Sequence, residues 1–173
     1  DDAICLGDEL IVIGDGKVLQ QGKPEEIACC PASPFVAEAI GFENLLSGQV
    51  VSIAEGEILL MIDCGGGPGQ ATNKHPVPEG VLLCAVGTGQ MGDPYYMAIR
   101  ADDILLEKKW SGESSARNRL SGKVIEVTPA GLRMAVRIDC GFQLTAKITK
   151  KSLEELDLKP ETPITAVIKA SSI

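Results

Sequence analysis

The amino-acid sequence predicts a mainly β protein, in which a short β-hairpin and helices precede two tandem OB-like Greek-key barrels. Three observations predict this class. Short β-branched runs alternate with glycine turns, and almost no segment sustains a helical period. The β-rich region also contains an internal repeat. With 173 residues and a hydrophobic fraction of 45%, the chain is long enough to bury a core without disulfides.

The first forty residues predict a hairpin followed by two helices. The runs ELIVI at residues 9–13 and KVLQQ at residues 17–21 flank a Gly-Asp-Gly turn, which supplies the positive φ that a tight hairpin needs. Pro24 begins a helix whose first acidic residues lie at the positive end of the helix dipole. A second helix has Ser33 as its N-cap and ends at Gly41.

From residue 43 onward the sequence is β-rich and repeats itself. The three matched pairs, in the same order, are NLLSGQV at 44–50 with NRLSGKV at 118–124, MIDCG at 61–65 with RIDCG at 137–141, and AIRADDI at 98–104 with VIKASSI at 167–173. Together they predict two copies of one structural unit. About five short strands in roughly 60 residues favour a closed barrel, because closure removes exposed strand edges.

The repeat sets the expected domain boundaries. They are an N-terminal segment at residues 1–42, a first barrel at 43–109, a linker at 110–116 and a second barrel at 117–173. A short helix is expected near residues 149–156, with Thr149 or Ser152 as its cap. The glycine-rich run at residues 64–70 is interpreted as a plain loop, since no Gly-Lys-Ser/Thr sequence and no helix start follow it.

Composition excludes several classes of function. A net charge of −8 and an aromatic content of 3% argue against a nucleic-acid binder, which needs a basic footprint or stacking platforms. The adjacent pair Cys29 and Cys30 does not have zinc-ligand spacing, and His75 is the only histidine in the sequence. The six cysteines are therefore interpreted as reduced. We find no credible catalytic triad or pair of carboxylates.

The apolar runs and the first residues of the sequence predict whether it contains a membrane span or a signal segment. No apolar run approaches the roughly 20 residues of a bilayer span, and no secretory signal is recognisable. The chain starts at Asp1 without a methionine, which predicts a fragment of a longer protein.

Two parts of the sequence resemble a known family. Residues 5–47, including the Pro-Glu-Glu-Ile and Ser-Pro-Phe-Val runs, resemble the tail of the nucleotide-binding domain in an ATP-binding subunit of an ABC importer, just beyond its switch histidine. Residues 43–173 resemble the C-terminal regulatory (TOBE) region of such subunits. The motifs SARN at 115–118, TAKIT at 145–149 and IKAS at 168–171 are similar to the molybdate-binding Mop, or molbindin, module in particular.

The resemblance implies a regulatory oxyanion sensor in a molybdate or tungstate importer. It implies that two chains pair through their barrels as a homodimer, with molybdate or tungstate as the ligand and no cofactor. It further implies membrane subunits as partners and a cytoplasmic location at the inner face of the membrane, with neither nucleic-acid binding nor membrane insertion. The sequence has no P-loop and no Walker B strand, so these residues do not hydrolyse ATP by that route, and the resemblance places ATP and Mg²⁺ in a domain outside them.

The resemblance implies that the site lies at a subunit interface, where the start of one Mop unit meets the end of a unit of the partner chain, with the second repeat of each chain supplying the residues. A tetrahedral dianion needs converging donors without a facing carboxylate. The expected groups are the hydroxyls of Ser115 and Ser171, the backbone N–H groups of Ala116, Arg117, Asn118 and Ala170, and the ammonium of Lys169.

The two repeats differ at these positions. Glu43 stands where the second copy has Arg117, and Asp102 and Asp103 stand where it has Ser171 and Ser172. Because carboxylates would repel a dianion, the second copy is predicted to hold the ligand and the first to be a scaffold.

The sequence is also compatible with other functions. One is a structural dimerisation module from an importer for sugars, polyamines or another solute, without a ligand site. Another is a free molybdate-storage protein, which residues 5–47 disfavour. A stand-alone enzyme is the least favoured. If residues 1–42 normally pack on another domain, the apolar side chains of Ile11, Ile13 and Val18 are expected to be partly exposed.

Overall fold

The computed structural model describes residues 7–63, 80–108 and 114–173, and in these ranges the mainly β prediction is confirmed. The strands are β1 Leu10–Gly14, β2 Lys17–Gly22, β3 Asn44–Ala54, β4 Glu57–Ile62, β5 Leu82–Val86, β6 Pro94–Ile99, β7 Leu105–Glu107, β8 Asn118–Ala130, β9 Arg133–Asp139, β10 Gln143–Ile148 and β11 Pro163–Ile168. The helices are α1 Pro24–Cys29, α2 Pro34–Ala39 and α3 Lys150–Glu155, and two 3-10 turns span Ala101–Asp103 and Ala170–Ser172.

The N-terminal unit forms as its local signals predict. Strands β1 and β2 pair antiparallel around Asp15 and Gly16, whose φ angles are 49° and 73°. Ser33 caps α2, its hydroxyl accepting a hydrogen bond from the Val36 backbone N–H at 3.3 Å. The unit has a small core of its own, formed by Val12, Ile27, Val36 and Ile40.

One apolar side of the hairpin faces outward, as expected. Ile11, Ile13 and Val18 are 47%, 62% and 58% exposed. The unit touches the first barrel through Arg100, whose guanidinium lies 4.8 Å from the centre of the Phe42 ring.

The two repeats fold into two sheets with the same topology. The first sheet has the order β5-β4-β3-β6 and the second the order β10-β9-β8-β11-β7. In each, three consecutive strands are joined as hairpins and the fourth returns beside the first, which is a Greek key. Their inner faces contribute to one continuous core that includes Leu60, Ile99, Ile138 and Ile168. The barrels are therefore packed against each other within one chain.

The structure differs from the sequence prediction at β7. Residues 105–107 were expected in the first barrel, but they pair antiparallel with β11 of the second sheet. The boundary at residue 109 therefore does not separate the two sheets. The physical reason is that the chain leaves β6 through the turn Ala101–Asp103, which packs against β10 of the other barrel.

The predicted helix near residues 149–156 is present as α3. Thr149, and not Ser152, is its N-cap, because the Thr149 hydroxyl accepts from the Ser152 backbone N–H at 3.1 Å. None of the helices in the described part of the chain combines the length and apolar character that a membrane span requires. The predictions for residues 64–70, for His75 and for most of the linker lie outside the described residues.

Candidate functional site

A buried asparagine joins the second barrel to the first. Asn118, at the start of β8, is 4% exposed. Its side-chain oxygen accepts from the Cys84 backbone N–H at 2.6 Å, and its side-chain nitrogen donates to the Cys84 carbonyl at 2.8 Å. The same nitrogen lies 3.3 Å from the Ile168 carbonyl. One side chain thus satisfies backbone groups of both barrels, which buried polar groups require.

Asn44, the repeat equivalent of Asn118, makes the reciprocal bridge. It accepts from the Thr145 backbone N–H at 2.6 Å and donates to the Thr145 carbonyl at 2.9 Å. It also contacts the Ile99 carbonyl at 3.2 Å. The two barrels are therefore related by an approximate two-fold symmetry, and each bridge marks one junction between them.

The second junction comprises residues 115–118 and 169–171, among which Arg117, Asn118 and the turn at Ala170 contact the first barrel. The resemblance implies that these two segments meet between two chains, whereas the structure places the two segments of one chain side by side, because Asn118 is paired with Ile168 and residues 117 and 169 come next outward. The turn Ala170–Ser172 packs on β5 of the first barrel. All seven predicted site residues lie here; Ser115, Arg117, Lys169 and Ser171 are exposed, Ala116 is half-buried, and Asn118 and Ala170 are buried.

Some of the predicted donors already have partners. The Ala116 backbone N–H donates to the Ser114 hydroxyl at 3.0 Å. Asn118 was predicted to offer its backbone N–H, and its side chain is engaged in the bridge. Among the predicted groups, the Lys169 ammonium and the two serine hydroxyls are therefore the ones best placed to meet a ligand.

Sequence reasoning missed a carboxylate at this junction. Glu57, from β4 of the first barrel, contacts Arg117 through both oxygens, with distances of 3.3 Å from Nε to Oε1 and 3.3 Å from the terminal nitrogen to Oε2. The Cys84 thiol donates to Glu57 Oε2 at 3.4 Å. The only signal in the sequence was the repeat itself, which aligns Glu57 with Arg133.

The environment of Cys84 follows from this arrangement. Burial raises the pKa of the Cys84 thiol, the hydrogen bond to Glu57 and its negative charge raise it further, and the nearby Arg117 guanidinium lowers it. The thiol is therefore a neutral hydrogen-bond donor at neutral pH.

The first junction, where Asn44 bridges to Thr145, is occupied by ion pairs between the two barrels. Glu43 accepts from the Ala101 backbone N–H at 2.9 Å and pairs with Lys147 of the second barrel. Asp102 pairs with Arg133, also of the second barrel. The carboxylates that distinguish the first copy thus lie at the junction equivalent to the predicted site.

Known sequences resemble the second barrel and the chain as a whole. Residues 114–173 match the sequence model of the TOBE domain. Over 154 residues the chain is 27% identical to the spermidine/putrescine import ATP-binding protein PotA of Nitrosomonas europaea, covering 88% of this chain and 39% of that protein. It is 28% identical to the molybdate/tungstate import ATP-binding protein WtpC of Pyrococcus abyssi, covering 100% of this chain and 44% of that protein. The chain thus spans less than half the length of these curated relatives.

A solved structure shares the fold of most of the chain. The cytoplasmic molybdate-binding protein ModG, crystallised with molybdate bound, superposes with a TM-score of 0.60 at 29% identity, covering 75% of this chain and 92% of ModG. Residues 114–173 are accordingly a TOBE domain, and the chain is homologous to the C-terminal regions of ATP-binding subunits of ABC importers.

Proposed function

We propose that the second junction binds molybdate or tungstate and that this chain is the oxyanion-sensing region of an importer ATP-binding subunit. The observation that carries the proposal is the pairing of Asn118 with Ile168, which places residues 117 and 169 at adjacent ends of neighbouring strands. The Arg117 and Lys169 cations and the hydroxyls of Ser115 and Ser171 are groups that can offer charge and hydrogen-bond donors to a tetrahedral dianion.

Glu57 competes with the proposed ligand for Arg117, and the free energy of the Arg117–Glu57 ion pair can be estimated. The Arg117 and Glu57 side chains are 62% and 37% exposed, and ion pairs of this kind contribute only about 0–1 kcal/mol. Hydrogen bonds to a charged partner contribute about 1.5–3 kcal/mol each. We therefore propose that a dianion that engages Lys169, Arg117 and a hydroxyl at once displaces Glu57 from the guanidinium, because it makes more charged contacts than Glu57 does.

The charges at the first junction explain why the second junction is proposed as the anion site. There Glu43 and Asp102 already face Lys147 and Arg133, so an entering dianion would meet two carboxylates. The relatives named for molybdate and tungstate import, and ModG with its bound molybdate, support this ligand class.

In an importer ATP-binding subunit, the bound anion would act as a regulator of transport. Anion bound at the junction biases two ATP-binding subunits, paired through their barrels and attached to membrane subunits at the cytoplasmic face, toward an arrangement that does not transport. Such an effect requires different affinities for the two arrangements, because a ligand that binds both equally shifts neither.

A structural dimerisation module without a ligand is the second candidate. The observation that favours it is the Arg117–Glu57 contact, which already supplies the guanidinium with a counter-charge. The similarity to a spermidine/putrescine import protein also fits this candidate, since that protein is named for a cationic solute.

Calorimetric titration separates the two candidates. Molybdate and tungstate are titrated into the chain, with sulfate and phosphate as competitors. The sensor predicts a saturable heat that Lys169→Ala reduces at least about tenfold in affinity, while Lys123→Ala, which removes the same charge from an exposed position elsewhere on the second barrel, leaves it unchanged. Absence of heat with either metal oxyanion would leave only the structural module.

A further inference from the structure

A carboxylate of the chain itself is held at the first junction by a backbone donor and a cation. The two oxygens of Glu43 have different partners: Oε2 accepts from the Ala101 backbone N–H at 2.9 Å, and Oε1 pairs with the Lys147 ammonium. Ala101 is 0% exposed, so its N–H needs an acceptor from within the molecule. Donors from the turn after β6 and from β10 thus converge on one negatively charged group.

The Asn44 bridge holds these groups close together. Glu43 precedes Asn44, which exchanges two hydrogen bonds with the Thr145 backbone, and Lys147 follows Thr145 by two residues in β10. The bridge therefore keeps the start of β3 beside β10 and the carboxylate within reach of the ammonium. The Glu43 and Lys147 side chains are 29% and 28% exposed, so solvent screens their attraction only in part.

The repeat relates this arrangement to the second junction. The turn Ala101–Asp103 corresponds to Ala170–Ser172, so the N–H that donates to Glu43 is the counterpart of the Ala170 N–H, one of the predicted donors to an oxyanion. The carboxylate of the first copy has no counterpart in the second, where the same position holds Arg117. A backbone donor that is predicted to bind an anion in one copy therefore binds a negatively charged oxygen of the protein in the other.

We propose that Glu43 is a built-in ligand, whose carboxylate occupies at the first junction the position that an oxyanion occupies at the second. The chain then has two sites of one kind, both suited to small oxyanions, and the first is closed by its own side chain. The barrel pair consequently takes up one external anion and not two. The comparison with the second junction rests on the proposed function, whereas the contacts of Glu43 do not.

The ion pairs of the first junction show what Glu43 contributes there. Asp102 pairs with Arg133, and Glu43 is the carboxylate that pairs with Lys147. Without Glu43, the Lys147 ammonium and the Ala101 N–H would both lose the acceptor that the structure gives them. Because a buried donor or a partly buried charge without a partner destabilises a protein, an external carboxylate that restored both contacts would stabilise such a variant.

Chemical rescue with acetate tests this proposal. Glu43→Ala removes a CH₂ group and a carboxylate, which together have the size of acetate, and the melting temperature is measured in acetate and in chloride at equal ionic strength. Glu43→Gln fills the same space without the charge, and the double variant Glu43→Ala/Lys147→Ala also lacks the cation. Glu155→Ala is the matched control, since Glu155 forms an exposed ion pair with Lys151.

In chloride, Glu43→Ala should melt below the original chain. Acetate should raise its melting temperature by about 3 °C or more, because a ligand that binds only the folded state stabilises that state. The original chain and the other three variants should show no difference between the two salts. An equal acetate shift in all of the chains, or none in Glu43→Ala, would overturn the proposal.

Two further outcomes are also decisive. If Glu43→Ala does not fold in chloride, recovery of the folded state in acetate supports the built-in ligand, and failure in both salts contradicts it. Because acetate is the probe, the result does not depend on molybdate. Rescue by acetate without molybdate binding to the original chain would remove the proposed function and leave this inference, and molybdate binding without rescue would do the reverse.

Discussion

At the scale of single residues, equivalent positions of the two repeats carry opposite charges at the junctions. Arg117 of the second copy faces Glu57 of the first, while the repeat counterparts of these two residues are Glu43 and Arg133. Each guanidinium therefore comes from the second barrel, and its acidic partner comes from the first. A net negative chain can in this way hold a local site for an anion, because exposed charges are screened beyond about 8 Å at physiological salt.

Glu57→Gln should strengthen oxyanion binding. The substitution keeps the shape of the side chain but removes the charge that competes for Arg117. We expect about a fivefold decrease in the molybdate dissociation constant, which corresponds to ~1 kcal/mol. Calorimetry measures it, with Glu161→Gln as the control, since Glu161 forms an exposed ion pair with Lys123. Weaker binding in Glu57→Gln would show that Glu57 does not oppose the ligand.

Asn118→Ala should destabilise the protein. It leaves the Cys84 backbone N–H and carbonyl without their side-chain partner at a half-buried interface. Groups left unsatisfied in this way cost about 1–3 kcal/mol, measured by urea unfolding. Asn44→Ala should have a similar effect because it makes the reciprocal contacts with Thr145. A loss below about 0.5 kcal/mol in both variants would contradict the structural role of these bridges.

The roles of these residues show where sequence analysis reaches its limit. The repeat aligns Asn44 with Asn118, the resemblance selects the seven predicted site residues, and in the structure all seven lie in the two segments that meet at the second junction. The sequence does not reveal that Glu57 faces Arg117 or that Asn118 bonds to Cys84, because these partners are separated along the chain and belong to different barrels. Contacts across an interface between two domains leave no local pattern to detect.

At the scale of elements, a glycine fixes how the first two strands of each barrel meet. A Cβ at Gly122 would overlap the Asp139 carbonyl oxygen, and one at the equivalent Gly48 would overlap that of Met61. The pairing of β8 with β9 also shifts register between Val124 and Glu126, close to this contact. The repeated Ser-Gly sequence therefore has a structural explanation in the close approach of two backbones.

Gly122→Ala should consequently destabilise the second barrel. The neighbour is backbone, which cannot move aside as a flexible side chain can, so we expect a loss of about 1–3 kcal/mol. Chemical denaturation measures it. Ser121→Ala, on the exposed neighbouring position, is the matched control and should change stability by less than about 0.5 kcal/mol. A neutral Gly122→Ala would mean that the strands separate more easily here than the close approach indicates.

Elements defined by local signals were predicted well, and the one defined by a distant partner was not. The Asp15–Gly16 turn and the Ser33 cap act on their immediate neighbours, so the sequence is sufficient to locate them. Strand β7 is a short aliphatic run that fits either barrel. Its assignment depends on where the turn Ala101–Asp103 directs the chain, which is a tertiary contact.

At the scale of the whole molecule, the two barrels are joined by a shared core and by contacts that cross between them. Their buried residues belong to a single hydrophobic core, and two asparagine bridges and strand β7 cross between the repeats. The N-terminal unit, in contrast, has a separate small core. Any anion-dependent movement is therefore expected to involve the barrel pair as a body.

Urea unfolding followed residue by residue should show that the two barrels unfold together. Amide resonances of β3 and β4 are expected to disappear at the same urea concentration as those of β8 and β9, because neither barrel keeps its core without the other. Asn118→Ala should lower both midpoints together. Two separate midpoints, or a shift confined to the second barrel, would show that the barrels fold independently.

A crystal structure of the chain soaked in tungstate, whose heavy metal is located by anomalous scattering, would show directly whether the second junction binds an oxyanion. We expect one tungstate at the second junction, within hydrogen-bond distance of Lys169 and Arg117, with the Glu57 carboxylate turned away from the guanidinium. An empty second junction with the Arg117–Glu57 contact intact, or tungstate bound only at the first junction beside Lys147 and Arg133, would contradict it.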